Sequence, residues 1–195
     1  IIVPGNQKLK AAKLQVPGDP STAAFWMAAA SLIPGSELQL NKILLNPTRS
    51  GFIKVLQRMG VSVQLKEEIK SPEEVGSIQV KAAALNAFHI TKEEIPSLID
   101  EIPILAVLAS QAQGVSIVEG AEELRVKESD RLEAIAINLR AMGVEIELRQ
   151  DGFRIKGPQK LKAVSIKTFH DHRIAMAFSV AGLVAEGETL INDSE

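Results

Sequence analysis

LQRMGVSVQL (residues 56–65) recurs further along the chain as LRAMGVEIEL (residues 139–148), with five of the ten residues identical. In both copies a Met-Gly pair ends a segment with helical spacing of its apolar residues, and the residues after the glycine alternate between apolar and polar as in a strand. A repeat of this length is a whole supersecondary unit, and such units stack to bury a shared core. The two copies therefore predict a domain built by repeating one β/α module.

A second pattern occurs three times, beginning at Asp19, Asp100 and Asp171. Each aspartate is followed by an apolar helix rich in small residues, a glycine and a short strand. Together the two patterns predict the order β-α-β-α-β-β twice and then a truncated third copy, which is a mixed α/β fold in a single domain. We place the three units at residues 12–82, 86–157 and 163–195.

The three aspartates have a simple interpretation as N-caps of their helices. Just before the first of them, Leu14 and Val16 alternate with polar residues and predict the strand that leads into the first helix. If the units pack around a pseudo-threefold axis, the three helix starts fall at one end of the domain. Helix N-termini carry partial positive charge and free N–H groups, so this end is expected to attract anions.

The composition excludes several classes of protein. With 46% hydrophobic and 24% charged residues the chain can bury a core, and its formal net charge of −2 argues against a nucleic-acid-binding surface. It has no cysteine, which excludes disulfides, thiolate catalysis and cysteine-type zinc sites, and its three histidines lack the spacing of a helical zinc pair. No apolar run reaches the roughly 20 residues that cross a membrane. We therefore expect no metal and neither nucleic acid nor membrane as a partner.

The densest cluster of charge is ELRVKESDR (residues 123–131), in which Arg125, Lys127 and Arg131 alternate with acidic residues. Ser129 is a candidate N-cap for the helix that follows, so a solvated helix start is the simplest interpretation. That interpretation leaves three cations beside a helix N-terminus, where the helix dipole repels positive charge. A bound phosphate or carboxylate would remove the conflict, and the cluster therefore predicts an anion site.

Cations also stand near two other predicted helix starts. In HDHR (residues 170–173), Arg173 lies in the first helical turn and suits two-pronged capture of a carboxylate or phosphate. His172 could orient a neighbour or carry a proton, although a single histidine is more often structural. Arg49, at the end of NPTR (residues 46–49), is the equivalent cation of the first unit and a weaker indication.

Four segments resemble the 5-enolpyruvylshikimate-3-phosphate (EPSP) synthase family and follow one another in the family's order. They are PGDPSTAAF (17–25), DEIPILAVLA (100–109), RVKESDR (125–131) and DHRIAMAF (171–178). The resemblance covers nearly the whole chain, and KESDR favours the shikimate enzyme over the related UDP-N-acetylglucosamine enolpyruvyl transferase. It implies an inside-out α/β barrel, the C-terminal lobe of a two-lobed enzyme.

The other lobe has no counterpart in this sequence and is therefore expected as the partner of the chain. The sequence begins at Ile1 rather than Met and stops at Glu195 soon after a strand-like run, which also indicates a piece of a longer protein. We expect the chain alone to fold and to be inactive.

The resemblance also implies a reaction. The family transfers the enolpyruvyl group of phosphoenolpyruvate to the 5-hydroxyl of shikimate 3-phosphate by addition and elimination, and releases phosphate. This is a cytoplasmic step of the shikimate pathway of aromatic amino-acid biosynthesis, it uses no metal or organic cofactor, and the herbicide glyphosate competes for the phosphoenolpyruvate site.

Residue roles carry over by motif position. Asp100 matches the acid/base that takes the hydroxyl proton, Glu128 a carboxylate near the phosphoenolpyruvate methylene, and Lys127 a group at the junction of the two substrates. Arg131 and Arg173 match the clamp on phosphoenolpyruvate. The resulting catalytic set is Asp100, Glu128 and Lys127, and the substrate-binding set is Lys127, Arg131, Arg173, Asp100 and, in support, His172.

Three other interpretations stay open at this point. The chain could be a non-catalytic anion-binding or structural repeat domain, the UDP-N-acetylglucosamine transferase, or an RNA 3′-terminal phosphate cyclase of the same fold. Low net charge and KESDR argue against the cyclase. The transferase interpretation requires that Asp100, Lys127–Arg131 and His172–Arg173 meet in one electropositive rim.

Overall fold

The structure is a computed structural model that describes residues 2–11, 13–70 and 72–192. The helices of the described chain are α1 (Pro20–Leu32), α2 (Gly51–Arg58), α3 (Ile102–Gln111), α4 (Arg131–Ala141) and α5 (His172–Gly182). The strands are β1 (Glu37–Leu44), β2 (Ser62–Ile69), β3 (Val75–Lys81), β4 (His89–Ile90), β5 (Gly114–Val118), β6 (Ile146–Arg149), β7 (Gly152–Gly157), β8 (Ser165–Ile166) and β9 (Leu190–Ile191). Within these ranges no helix has the length and apolarity needed to cross a membrane.

The strands form three sheets, one for each predicted unit. The first sheet has the order β1-β3-β2 and is antiparallel, and the second has the order β4-β5-β7-β6 with only β4 and β5 parallel. The third is the parallel pair β8-β9. The second unit shows the full predicted order β-α-β-α-β-β, and the predicted mixed α/β fold is confirmed. The single-domain assignment and the unit boundaries stay predictions.

The strand predicted at Leu14 and Val16 is wrong. Both side chains are exposed, and the first unit keeps only a single parallel bridge between Gly18 and Ile43. The N–H of Gly18 donates to the carbonyl of Lys42 at 2.7 Å. An alternating pattern forms a strand only where a neighbouring strand supplies hydrogen bonds, and β1 offers its edge to this one residue.

Helices occupy the centre of the molecule, and the sheets lie outside them. The first helices of the three units, α1, α3 and α5, all pack against one another. Every residue of α3 from Ile102 to Ser110 is buried, and α1 is buried on most of its surface. A helix that is apolar on all sides is stable only inside a core, which explains why these segments lack a polar stripe. The inside-out arrangement brings the starts of these helices together.

Gly157 sets the distance between the end of β7 and the end of α3. A Cβ atom on this residue would lie 2.5 Å from the carbonyl oxygen of Ala112 and 2.8 Å from that of Ala109. Both are backbone atoms and cannot rotate away. The glycine therefore allows the sheet of the second unit to pack directly on its first helix.

We expect Gly157→Ala to destabilise the chain by about 1–3 kcal/mol, because the added methyl group forces β7 away from α3. Gly5→Ala is the matched control, since a Cβ at Gly5 would meet nothing within 4 Å. Urea unfolding of the two variants measures the difference. An equal effect of both substitutions would show that the contact does not limit packing.

Candidate active site

The turn before α3 and the first turn of α5 meet at one end of the helix cluster. Asp100 lies in the 3₁₀ turn Ile99–Glu101, and its Oδ2 is 3.2 Å from Nη2 of Arg173. Arg131, the first residue of α4, reaches the same carboxylate, with Nη1 3.2 Å from Oδ1 of Asp100. One carboxylate is thus held by two arginines that come from two further helices.

The guanidinium of Arg131 is the centre of this cluster and is almost completely buried, with 1% of the side chain exposed. It donates through Nε to Asp171 at 2.8 Å and through Nη2 to Glu128 at 2.6 Å, in addition to its contact with Asp100. A buried charge is tolerated only when it is paired and hydrogen-bonded. Here three carboxylates meet that requirement.

Asp171 is the most deeply buried carboxylate partner of Arg131. Its side chain is fully buried, it caps α5 by accepting from the N–H of Arg173 at 2.9 Å, and it accepts from the hydroxyl of Ser129 at 3.1 Å. Burial by itself raises the pKa of Asp171, but the hydrogen bonds and charge of Arg131 outweigh it, and the net result is a pKa below the ordinary range. Asp171 therefore stays a carboxylate near neutral pH.

Two capping predictions are wrong. Asp130, not Ser129, caps α4 by accepting from the N–H of Glu133 at 3.0 Å, and the Ser129 hydroxyl is used by Asp171 instead. Asp100 caps no helix, because its two oxygens are engaged by arginines and α3 begins two residues later without a side-chain cap. The predicted N-caps Asp19 and Asp171 are confirmed.

The charge conflict that pointed to an anion site is resolved within the protein. Arg131 is neutralised by carboxylates, Arg125 pairs with Asp130 at 2.8 Å, and Lys127 pairs with Glu123 at 3.1 Å. The three segments do meet, but the predicted rim is not electropositive, because carboxylates match its cations. The carboxylates are Asp100, Glu123, Glu128, Asp130 and Asp171, and the cations are Arg125, Lys127, Arg131 and Arg173.

The remaining predicted residues lie at the edge of the cluster. Arg173 is mostly buried and bound to Asp100, whereas Glu128 and Lys127 keep 50% and 27% of their side chains exposed. His172 is the first residue of α5 and is exposed. Only the exposed members can change partners without opening the core.

Sequence reasoning missed part of this cluster. Asp171 was assigned only as a cap, and no role was assigned to Ser21, whose hydroxyl accepts from Nη2 of Arg49 at 3.0 Å. Arg49 also contacts Asp19, the cap of its own unit's helix, at 3.4 Å. In both units an arginine near the start of the second helix binds an aspartate cap, but Arg131 reaches into the third unit. The recurring Arg–Asp pair was a signal that could have been followed.

In the described ranges no three His, Cys, Asp or Glu side chains are grouped so as to hold a metal ion. The acidic residues of the cluster instead face guanidinium groups, which are rigid and always charged. The arrangement therefore holds a carboxylate beside guanidinium groups. A carboxylate can transfer a proton and guanidinium groups can bind an anion, so the arrangement suits proton transfer on an anionic substrate.

We expect Asp171→Asn to destabilise the chain by about 3 kcal/mol, because it leaves the buried charge of Arg131 without its most deeply buried carboxylate partner. The loss should shrink as the pH falls below about 4, since the stability that an acid with a lowered pKa contributes disappears as the acid is protonated. Urea unfolding at pH 7 and at lower pH measures both effects.

Asp19→Asn is the matched control for this prediction. Asp19 caps α1 in the same way, but its pair with Arg49 is half exposed, and asparagine is also a good N-cap. We expect this substitution to cost no more than about 1 kcal/mol. Equal losses in the two variants would contradict the importance of the buried pair.

Comparisons with known proteins identify relatives of this chain. The 3-phosphoshikimate 1-carboxyvinyltransferase of Alkaliphilus oremlandii (strain OhILAs) is 48% identical over 196 residues, which cover 100% of this chain and 46% of that protein. An EPSP synthase structure from Acinetobacter baumannii superimposes with a TM-score of 0.91 at 37% identity, over 97% of this chain and 44% of that one. The enolpyruvyl transferase NikO from Streptomyces tendae, at 19% identity and a TM-score of 0.66, shares the fold.

This chain spans less than half the length of the curated relative described above, 46% of it. The family profile of EPSP synthase (3-phosphoshikimate 1-carboxyvinyltransferase) matches residues 1–195. The chain therefore belongs to the EPSP synthase family.

Proposed function

We propose that the protein containing this chain transfers the enolpyruvyl group of phosphoenolpyruvate to the 5-hydroxyl of shikimate 3-phosphate, in the cytoplasm. Family membership supports the reaction class. The observation that carries the proposal is the meeting of Asp100, Glu128, Arg131 and Arg173 within hydrogen-bonding distance at three helix starts. Carboxylates and guanidinium groups in this arrangement suit proton transfer on a bound anion.

Asp100 is the proposed general base. In the addition step its carboxylate takes the proton of the attacking hydroxyl while the oxygen bonds to C2 of phosphoenolpyruvate and C3 gains a proton. In the elimination step C3 loses a proton, the double bond re-forms and phosphate leaves. A base must be held in place, and Arg131 and Arg173 hold this carboxylate from both oxygens while 31% of its side chain stays exposed.

Glu128 and the arginines take the remaining proposed roles. Glu128 lies at the methylene, where a proton is gained and lost, and Arg131 and Arg173 clamp phosphoenolpyruvate. Because Glu128 is half exposed, its contact with Nη2 of Arg131 can be exchanged for a substrate carboxylate. The contact with Asp171 cannot, since that carboxylate has no exposed surface. Arg131 would therefore bind substrate through Nη2, in place of Glu128, and keep its contact with Asp171 through Nε.

Lys127 and His172 complete the proposed substrate contacts. Lys127 would join the two substrates by leaving Glu123, an exposed partner that gives it up at little cost. His172, exposed at the start of α5, would support the clamp beside Arg173. All these steps are proton transfers and anion contacts that side chains supply, so the proposal assigns no metal or organic cofactor.

The proposal also includes a second lobe. The chain corresponds to 46% of the length of its Alkaliphilus oremlandii relative. We assign most contacts to shikimate 3-phosphate to the lobe that the chain does not include. The half-exposed Glu128 and the partly exposed Lys127 would then face that lobe across a cleft. The 195-residue chain alone should give no turnover.

In the complete enzyme we expect Asp100→Asn to lower kcat by about 10²–10⁴-fold, the usual contribution of a positioned base. Phosphate release from phosphoenolpyruvate and shikimate 3-phosphate measures it. Glu145→Gln is the control, because Glu145 is an exposed carboxyl outside the cluster, and it should leave kcat unchanged.

Three outcomes would each contradict one part of this proposal. If Asp100→Asn kept turnover within about tenfold of the wild type, Asp100 would not be the base. If the complete enzyme accepted UDP-N-acetylglucosamine and not shikimate 3-phosphate, the substrate assignment would be wrong. Turnover by the isolated chain would remove the need for a second lobe.

A further inference from the structure

The cluster contains a buried acid that the proposed reaction does not use. Glu101 follows Asp100 directly and is only 3% exposed. Among the described residues its Oε1 is one of two buried side-chain oxygens without a hydrogen-bond partner, the other being Oγ1 of Thr189. An unpaired buried carboxyl oxygen is costly, so its presence beside the proposed base requires an explanation.

Glu101 lies where three helix starts converge. The groups that face it are Ser21 on α1, Arg49 in the loop before α2, Arg173 on α5 and its neighbour Asp100. Both arginines are already engaged, Arg173 with Asp100 at 3.2 Å and Arg49 with Asp19 at 3.4 Å. The site therefore offers no unengaged guanidinium to a second carboxylate.

The surroundings favour the uncharged form of Glu101. Burial raises its pKa above the ordinary value and the charge of Asp100 adds to this, while a hydrogen bond from Ser21 and the charges of Arg173 and Arg49 oppose the shift only in part. Glu101 also occupies the N-cap position of α3 without accepting a hydrogen bond from it. A charged carboxylate would be drawn to that helix start and to the arginines.

We propose that Glu101 is a positioning residue for Asp100: its uncharged carboxyl fills the space between the two arginines without competing for them, and so keeps Arg173 on Asp100. Ionised Glu101 would share Arg173 and loosen the carboxylate that acts as base. The catalytic consequence rests on the function proposed above, whereas the effect on Arg173 does not depend on it.

The effect on Arg173 can be measured in the 195-residue chain by ¹⁵N NMR of its guanidinium group. In the wild type the Arg173 signal should shift as the pH rises and Glu101 ionises. In Glu101→Gln, which keeps the shape of the side chain but carries no charge, this pH-dependent shift (the titration step) should be absent. Glu145→Gln, at an exposed position, is the control and should keep the step. The same titration in wild type and Glu101→Gln, or no step in either, would overturn the proposal.

The effect on catalysis is measured in the complete enzyme through the pH profile of kcat. In the wild type, ionisation of Glu101 should make kcat fall as the pH rises, and Glu101→Gln should remove this fall because glutamine cannot ionise. A merely structural role would change stability and leave the profile unaltered, so superimposable profiles would overturn the positioning role. If the complete enzyme showed no enolpyruvyl transfer at all, the proposed function would fail, and the NMR titration would still decide the role of Glu101.

Discussion

A single buried guanidinium joins two of the repeated units. Arg131 opens α4 in the second unit, yet its most deeply buried partner is Asp171, the cap of α5 in the third unit, at 2.8 Å. The start of a helix leaves backbone N–H groups without partners, and a buried arginine needs a carboxylate. Asp171 meets both requirements, because it caps α5 and pairs with Arg131. Packing of the apolar helices brings the units together, and this pair fixes how their starts are aligned.

The alignment explains how a chain with net negative charge can present cationic groups to the anionic substrates proposed above. Each cation of the cluster is matched by a carboxylate, and the pairs differ in exposure. Asp171 is buried and permanent, Asp100 is partly exposed, and Glu128 is half exposed. Because the carboxylates differ in exposure, the exposed ones can give way to a substrate while the buried one keeps the arginine in position. Catalysis needs side chains that are held in position in this way.

Much of the fold could be predicted from the local sequence. Helix periodicity, the glycines that end helices and the aspartates that cap them each depend on only a few neighbouring residues. Gly60, predicted to end the second helix, has a φ of +90° and follows α2 as expected. The errors arose where partners are distant. Asp100 was given a capping role that its arginines prevent, and one of them, Arg131, lies 31 residues away in the sequence. The strand at Leu14 lacked a neighbour to pair with. The motifs indicated which residues were expected at the candidate site, but only the packed structure shows which charges neutralise one another.

The most direct test of the alignment is a double-mutant cycle with Arg131→Met and Asp171→Asn, followed by urea unfolding of the 195-residue chain. If the pair joins the units, each single change leaves a buried charge without its buried partner. The double variant should then lose less than the sum of the single losses by about 2–3 kcal/mol. Losses that simply add would show that Arg131 and Asp171 act independently, and would contradict the account.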